Sequence, residues 1–308
     1  LSAVAPDFTS FFVLRFLTGL PHGAYFGVAA LVAASMVPFH MRARAVGWVM
    51  LGLTIATLAG TPVTALFGQL LSWRVAFLFV GAIGVLTVAL IWIYLPQDEV
   101  EEGASIAREL SAFSRPQVWL TLGIAAAGFG GMFAIFSYIA STTTDVAGLP
   151  VTMVAVILAL FGVGMNVGNL VGSKLADMSL MGTIGGVIVA NIVIMAIFAS
   201  WASNPYVLYV TVFLIGCGFA AGPALQTRLM DVAADAQTLA AASNHSAFNI
   251  ANAVGAWLGG LVIAHGWGYA ATGWVGSGLS LLGLIVFALS ALLDRKDRRQ
   301  PASVSANG

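Results

Sequence analysis

The feature that most constrains this chain is the length of its uncharged runs. The stretch from Ala45 to Trp73 holds no Asp, Glu, Lys or Arg, and residues 146–173, 178–227 and 236–293 form comparable or longer runs. A helix crosses a bilayer with about 20 predominantly apolar residues. Only 8% of the residues are charged, whereas a soluble domain carries about 25%. The sequence therefore predicts an all-α integral membrane protein.

Turn residues and charges divide the chain into about nine predicted spans. These spans are residues 10–37, 45–71, 75–95, 118–142, 151–173, 181–201, 206–227, 238–263 and 270–293. Asn204-Pro205 and His265-Gly266 are typical of turns between them. The predicted domains are the remainder of an N-terminal helical half at 1–95, a loop between halves at 96–117, a C-terminal six-helix half at 118–293 and a tail at 294–308.

The basic residues fall on one side of the predicted spans. Ten of the 12 Lys and Arg residues follow odd-numbered spans: Arg42, Arg44, Arg108, Arg115, Lys174, Arg228, Arg295, Lys296, Arg298 and Arg299. Arg74 lies on the other side, with Asp7 and Asp145. Since cytoplasmic loops carry an excess of Lys and Arg, the C-terminus is predicted to be cytoplasmic and Leu1 to be outside. An outside amino end without a signal pattern predicts that further helices precede Leu1.

Small residues recur at every fourth position of the second predicted span. They are Gly52, Ala56, Gly60, Thr64 and Gly68. Positions four apart lie on one slowly drifting helix face, and small residues there let another helix approach closely in lipid. Pro62 interrupts the stripe and is predicted to kink the helix, because it cannot bond to the carbonyl of Leu58. The alternative is an ordinary packing helix of a multi-span protein.

The eighth predicted span repeats this stripe about 195 residues later. Its small residues are Ser243, Ala247, Ala251, Gly255 and Gly259. A shift of six spans gives both copies the same orientation. Parallel repeats of six helices are one plan of secondary transporters, with the substrate between the halves at mid-membrane.

Four stretches carry recognisable motifs: RFLTGLPHGAYFG from Arg15, GLTIATLAGTP from Gly52 with Gly68 closing the motif, GSKLAD from Gly172, and FNIANAVGAWLGG from Phe248. They resemble motifs of the major facilitator superfamily, in particular of its arabinose and sugar efflux permeases of the proton-antiporter branch. The resemblance covers nearly the whole chain and implies a helical bundle holding the last three helices of the N-terminal half and all six of the C-terminal half. By this resemblance, the first three helices of the N-terminal half are expected to precede Leu1.

The resemblance also implies roles for particular residues. Arg15 matches an arginine implicated in proton coupling, and Gly52, Gly60, Pro62 and Gly68 match the antiporter motif. Lys174 and Asp177 match an inner-loop gating motif. The loop after Asp177 lacks the basic residue that usually ends this motif, so a weak gating ion pair is expected.

Polar residues inside the spans are the candidate pathway for substrate and protons: Arg15, His22, Tyr25, Asn249 and Asn252. Charge at membrane depth is costly and marks function by default. Arg15 alternatively reaches the outer headgroups, and His22 alternatively bonds a neighbouring helix. For Asn166, Asn169, Asn191 and Asn244, bonding between helices is the prediction.

The long loop is predicted to form a short amphipathic helix from Val100, Ile106, Leu110 and Phe113, or to be a solvated linker.

No His, Cys and carboxylate cluster has metal spacing, so no cofactor or metal is expected. The predicted function is proton-coupled export of a small sugar-like or amphiphilic solute by alternating access. Alternatives are an importer, a purine or drug exporter, or a membrane-embedded enzyme or receptor. The expected partners are the substrate, protons and the bilayer, with no nucleic acid, in a monomer of a bacterial inner membrane.

Overall fold

The computed structural model describes residues 2–19, 21–95 and 105–299, and within these ranges the chain is helical and has no strand. Nine described stretches are long and apolar enough to cross a membrane, at the predicted places. The prediction of an all-α, nine-span bundle is therefore confirmed.

The helices follow the predicted order. Spans 1 to 3 consist of α1 (Phe8–Gly19) with α2 (His22–Ser35), α3 (Arg42–Ile55) with α4 (Thr61–Leu70), and α5 (Trp73–Tyr94). A short helix, α6 (Ile106–Leu110), leads to span 4, which consists of α7 (Pro116–Gly128) and α8 (Gly130–Phe136) and is followed by α9 (Ile139–Ser141). Spans 5 to 9 are α10 (Thr152–Met178), α11 (Leu180–Trp201), α12 (Pro205–Cys217) with α13 (Ala221–Ala233), α14 (Gln237–Ala264) and α15 (Thr272–Arg299).

Pro62 lies in the first turn of α4, directly after a π-helical turn at Ala56–Gly60. A proline is tolerated in a first turn because the amide groups there have no partner within the helix. π-helical turns and prolines both interrupt the regular hydrogen-bond ladder of an α-helix, and here the two occur next to each other. The interruption expected at Pro62 is thus present as a π turn, while the Pro62 side chain lies outside the described atoms.

Spans 4 to 9, the C-terminal spans, enclose most of the core, with fully buried side chains such as Phe198, Met195 and Ile215. Spans 1 to 3, the N-terminal spans, are more exposed, and neither α1 nor α5 has a buried residue. The two sets meet where α2 packs on α14 and where α3 packs on α10 and α13. These contacts position the candidate site.

The small-residue stripe of span 8 packs tightly on span 4. A Cβ at Gly255 would overlap the carbonyl oxygen of Gly130, and one at Gly259 would lie 2.9 Å from the Tyr138 ring. The Tyr138 hydroxyl donates to the carbonyl of Ala256 at 2.8 Å. Close approach of helices through small residues is therefore realised in this copy of the repeat.

The matching stripe of span 2 faces open space. A Cβ at Gly52 or Gly68 meets nothing within 4 Å, and one at Gly60 meets only Ala56 of the same span at 3.6 Å. The packing role expected for this stripe stays a prediction. The close helix contact of span 2 is instead made by Gly47, where a Cβ would lie 2.7 Å from the Cβ of Ser173.

The helix expected in the loop between halves is present from Ile106 and continues as a 3₁₀ turn at Ser111–Ser114. Val100 lies outside the described residues. Ile106 and Leu110 are exposed, whereas Ala112 is fully buried against Ala233, Ala236 and Ala240. The segment from Ser105 onward is thus attached to the C-terminal spans. The carboxylate of Glu109 strengthens this attachment by accepting the Leu239 amide at 2.8 Å, in the first turn of α14.

Candidate functional site

Besides the π turn of span 2, three spans are interrupted near the middle of the bundle in the described ranges. Span 1 has a turn at Pro21, directly before His22, span 4 has a turn at Phe129, and span 7 passes through a 3₁₀ turn at Gly218–Ala220. Glycine or proline flanks each break, and such residues weaken the helix locally. Interrupted helices at membrane depth are tolerated where protein or a cavity surrounds them, and transporters use them to build binding sites.

A chain of aromatic rings connects these three interruptions through span 8. We define this central aromatic layer as His22, Phe26, Phe129, Phe219, His245 and Phe248. Phe129 lies 4.5 Å from Phe248 and 5.9 Å from Phe219 between ring centroids. Phe26 meets His245 edge to face at 4.2 Å. The layer therefore joins the N-terminal and C-terminal spans at the level where the helices are broken.

A buried amide pair lies beside this layer. Asn244 donates to the side-chain oxygen of Gln226 at 2.6 Å, and Gln226 donates to the carbonyl of Ala241 at 3.2 Å. Both side chains are almost completely buried. The pair fixes span 7 to span 8, as predicted for Asn244, and it leaves the side-chain oxygen of Asn244 without a partner in the described structure.

Arg42, Arg44 and Arg228 lie together with their acidic partners at one end of the bundle, which we call the basic end. Arg42 Nη1 lies 2.9 Å from Asp231 Oδ1, Arg44 Nε lies 2.8 Å from Asp177 Oδ2, and Arg228 pairs with Asp294. The first two pairs link the N-terminal spans to the C-terminal spans. The basic end is therefore closed by ion pairs between the two sets.

Asp177 closes this end in a second way. Its Oδ1 accepts the backbone amides of Ala43 at 2.9 Å and of Arg44 at 3.4 Å, at the first turn of α3. A carboxylate there complements the partial positive charge of the helix end. Its side chain is only 4% exposed, whereas that of Arg44 is 41% exposed. Arg44 and Asp177 form an ion pair that is not aligned as a hydrogen bond. The hydrogen bonds of Asp177 at this contact are therefore those to the backbone amides of Ala43 and Arg44.

Uncharged contacts continue the closure toward the middle of the bundle. The Asn169 amide donates to the carbonyl of Gly47 at 2.8 Å, and Asn166 exchanges hydrogen bonds with Thr54. These bonds between spans 2 and 5 confirm the prediction made for both asparagines. A Cβ at Gly27 would lie 2.6 Å from the Cα of Ala242, so α2 and α14 touch backbone to backbone.

Among the described residues, no ion pair joins the two sets of spans at the end opposite the basic end. α1 packs on α2 and on the turn at Ser2–Val4, α5 packs mainly on α4, and most side chains of α1 and α5 are exposed. Asp7 begins α1 by accepting the backbone amide and the hydroxyl of Ser10 at 2.8 and 2.7 Å. These two hydrogen bonds lower the pKa of the exposed Asp7 carboxyl from its ordinary value.

Arg15 and Tyr25 occupy separate places in the described structure. Arg15 is exposed on α1, and its guanidinium carbon lies 5.3 Å from the centre of the Phe77 ring. Tyr25 lines a mostly apolar cavity of about 710 Å³ between α2, α3 and α5, together with Val28 and Thr87. Of the predicted residues of span 1, His22 belongs to the central aromatic layer, and Tyr25 contacts its Phe26 ring edge to face at 5.6 Å.

The other predicted residues are also dispersed. Asn249 is exposed, while Asn252 is half-buried with a side-chain oxygen that has no partner among the described residues. Both lie on the face of α14 that carries His245, at positions four and seven residues further on. Lys174 is exposed and forms no ion pair in the described ranges, so of the two motif residues only Asp177 contacts span 2. The weak gating ion pair expected at Asp177 stays a prediction; the base that lies beside Asp177 is Arg44 of span 2.

Sequence reasoning missed His245, Gln226 and the contact glycines Gly27 and Gly47. His245 lies inside the eighth predicted span but is not among the candidate pathway residues predicted from the sequence. The available signal was the run of two buried polar residues in an apolar span, which marks function by default. In the described part of the chain, no cluster of three or more His, Cys, Asp or Glu residues is arranged to hold a metal ion.

Comparison with known protein families identifies the family of this chain. The model of the Major Facilitator Superfamily matches residues 1–244. The chain belongs to the major facilitator superfamily. It is 36% identical over 305 residues to the inner membrane transport protein YdhP of Escherichia coli K12. The aligned region covers 99% of this chain and 77% of YdhP. The family and its fold are those of transporters, not enzymes.

Two further comparisons agree with membership of the major facilitator superfamily. A probable sugar efflux transporter of Helicobacter pylori is 26% identical over 285 residues, covering 92% of this chain and 73% of that protein. The crystal structure of the fucose:proton symporter FucP of E. coli superimposes with a TM-score of 0.74 at 14% identity, covering 92% of this chain and 77% of that one. The latter likeness concerns the fold alone.

Proposed function

We propose that this protein is a proton-coupled secondary transporter that exports a small sugar-like or amphiphilic solute by alternating access. The observation that carries the proposal is that, in the described ranges, the ion pairs between the two sets of spans lie at the basic end, with interrupted helices at mid-bundle. Exchange between this arrangement and one locked at the opposite end would move a central site from one side of the membrane to the other.

The proposed orientation places the basic end in the cytoplasm of a bacterium, in the plasma (inner) membrane. It is supported by the concentration of Arg and Lys at that end and by the positive-inside rule. The C-terminus is then cytoplasmic, and the described conformation is closed toward the cytoplasm. In this state the central layer would be reached from outside.

Export, rather than import, is supported by the resemblance of span 2 to an antiporter motif and by the relative named as a probable sugar efflux transporter. The proposed pathway includes Arg15, His22, Tyr25, Asn249 and Asn252, which offer hydrogen bonds and titratable groups along spans 1 and 8. An importer remains the rival within the superfamily, since the FucP structure is titled a fucose:proton symporter. The protein is proposed to work as a monomer.

The test is solute flux into inside-out membrane vesicles that contain the full-length protein. A panel of sugars and amphiphilic dyes is offered with and without an imposed proton gradient. Proton-driven accumulation that an ionophore abolishes is the expected result. Uptake only in right-side-out vesicles would favour the importer, and gradient-independent flux would contradict proton coupling.

A further inference from the structure

His245 is a titratable side chain that packing alone does not explain. It lies on α14, is only 8% exposed, and its Nε2 is buried without a hydrogen-bond partner in the described structure. An unmade hydrogen bond on a buried polar atom is costly, and a histidine in a membrane span is a functional candidate by default. Its ring touches Phe26, His22 and Phe248 at centroid distances of 4.2, 5.7 and 6.2 Å.

The contact between His245 and His22 crosses from one set of spans to the other. His22 begins α2 directly after the break in span 1 and is exposed, so protons can reach it from the open side. The two rings are tilted by 35° and make no hydrogen bond to each other in the described structure. Charging both rings at this separation would produce repulsion between α2 and α14.

In the part of the chain that the structure describes, no acidic group faces this pair from the helices packed against α14. α2 presents His22 and Tyr25, α13 presents the neutral Gln226, and the sequences of α7 and α8 contain no titratable residue. The described charged side chains of α6, α13 and α15 lie toward the basic end: Arg108, Glu109, Arg228, Asp231, Asp294, Arg295 and Lys296. Glu109 meets Leu239, which precedes His245 by about 9 Å along the helix. A proton on His245 would therefore have no counter-charge in this conformation.

We propose that His22 and His245 form a proton-sensitive contact between the two sets of spans, in which protonation of His245 and closure of the basic end exclude each other. A proton from the open side adds to a lone pair of the imidazole, and the same proton leaves after the basic end has opened. With His245 neutral, α2 packs on α14 as described. The inference rests on the proposed proton coupling and names the group that senses the proton.

The experiment measures the width of the basic end directly in the full-length protein. Spin labels are attached at Met36→Cys and Met178→Cys, two exposed positions at the basic end of spans 1 and 5, in a background without other cysteines. The distance distribution is recorded between about pH 5 and about pH 8, where histidine titrates. The expected result is a long-distance population that grows roughly tenfold as the pH falls.

Two variants and a control decide the assignment. His245→Gln should make the distance independent of pH, and His22→Gln, which changes an exposed residue, should weaken the response. His265→Gln should respond like the wild type, because His265 is exposed at the other end of the same helix, with its Nδ1 at 2.8 Å from the Leu261 carbonyl. A wild type that does not respond, or a folded His245→Gln that responds fully, overturns the proposal. If His245→Gln does not fold, an unchanged response in His22→Gln overturns it.

The distance measurement requires no solute, so it separates this inference from the proposed function. A pH-dependent distance that depends on His245 supports the contact even if no tested solute is transported. Proton-driven solute flux with a distance that ignores pH would leave the transport function standing and remove the contact. The two proposals therefore fail in different experiments.

Discussion

The Oδ1 atom of Asp177 accepts the backbone amide of Ala43 at 2.9 Å, so a carboxylate from span 5 caps the first turn of a helix in span 2. The bond joins residues 134 positions apart and crosses between the N-terminal and C-terminal spans. It can form only while the basic end is closed. Closure is thus coupled to the satisfaction of helix-end amides that no residue of span 2 caps.

Asp177→Ala is expected to favour the state that is open at the basic end. The substitution removes both the helix cap and the partner of Arg44, which together are worth about 1–3 kcal/mol, or roughly 5- to 150-fold in the equilibrium. Asp177→Asn keeps an acceptor for the amides but loses the charge. Its population of the open state should therefore lie between those of the wild type and Asp177→Ala. Cross-linking of Met36→Cys to Met178→Cys measures closure. Equal yields in all three proteins would show that the capping bonds do not hold the basic end.

Gly27→Ala is expected to disrupt the contact between α2 and α14. The added methyl group would lie 2.6 Å from the Cα of Ala242, a backbone atom that cannot move alone. Overpacking of this kind costs about 1–3 kcal/mol and should lower both cross-linking at the basic end and the thermal unfolding temperature. Gly52→Ala is the matched control, because a Cβ there meets open space. Equal losses in both variants would point to a general effect of glycine replacement.

Asn244→Leu is expected to lower the thermal stability of the protein. It removes the donor to Gln226 and leaves a buried amide oxygen unsatisfied, at a cost of about 1–3 kcal/mol. Asn249→Leu lies on the same helix at an exposed position and should change stability little. Thermal unfolding of the purified proteins in the same detergent makes the comparison. A stable Asn244→Leu would mean that the amide pair does not hold spans 7 and 8 together.

Arg15→Ala is expected to shift or abolish the pH dependence of efflux in the full-length protein. Arginine stays charged at every relevant pH and can hold a nearby carboxylate ionised, although no such carboxylate contacts it in the described structure. Arg15→Lys should keep part of the activity, because the charge remains and the planar group is lost. Efflux measured against pH gives the answer. An unchanged profile in Arg15→Ala would favour the reading in which this side chain only reaches toward the headgroups.

The sequence predicted the number, order and helical nature of the spans because uncharged length and turn residues encode them directly. It also predicted the bonds of Asn166 and Asn169 between helices, since an amide in an apolar span needs a partner. It could not tell which glycines meet a backbone. Gly27 and Gly52 look alike in sequence, and only the packing of α2 on α14 distinguishes them.

The candidate site was harder to predict for the same physical reason. His22 and His245 are 223 positions apart, and their contact depends on how spans 1 and 8 cross. Asp177 was identified through a motif, but the motif gave no indication that its partners would be the amides of Ala43 and Arg44. Long-range contacts of this kind depend on the arrangement of whole helices.

The attachment of α6 to the C-terminal spans has a consequence for how far the transporter can open. With residues from Ser105 onward held on α14, the chain between Leu95 and Ser105 is the whole tether between span 3 and the C-terminal spans. Ten residue steps reach at most roughly 35 Å when fully extended. The length of this segment therefore limits how far span 3 can move from the C-terminal spans at the basic end, whatever solute is carried.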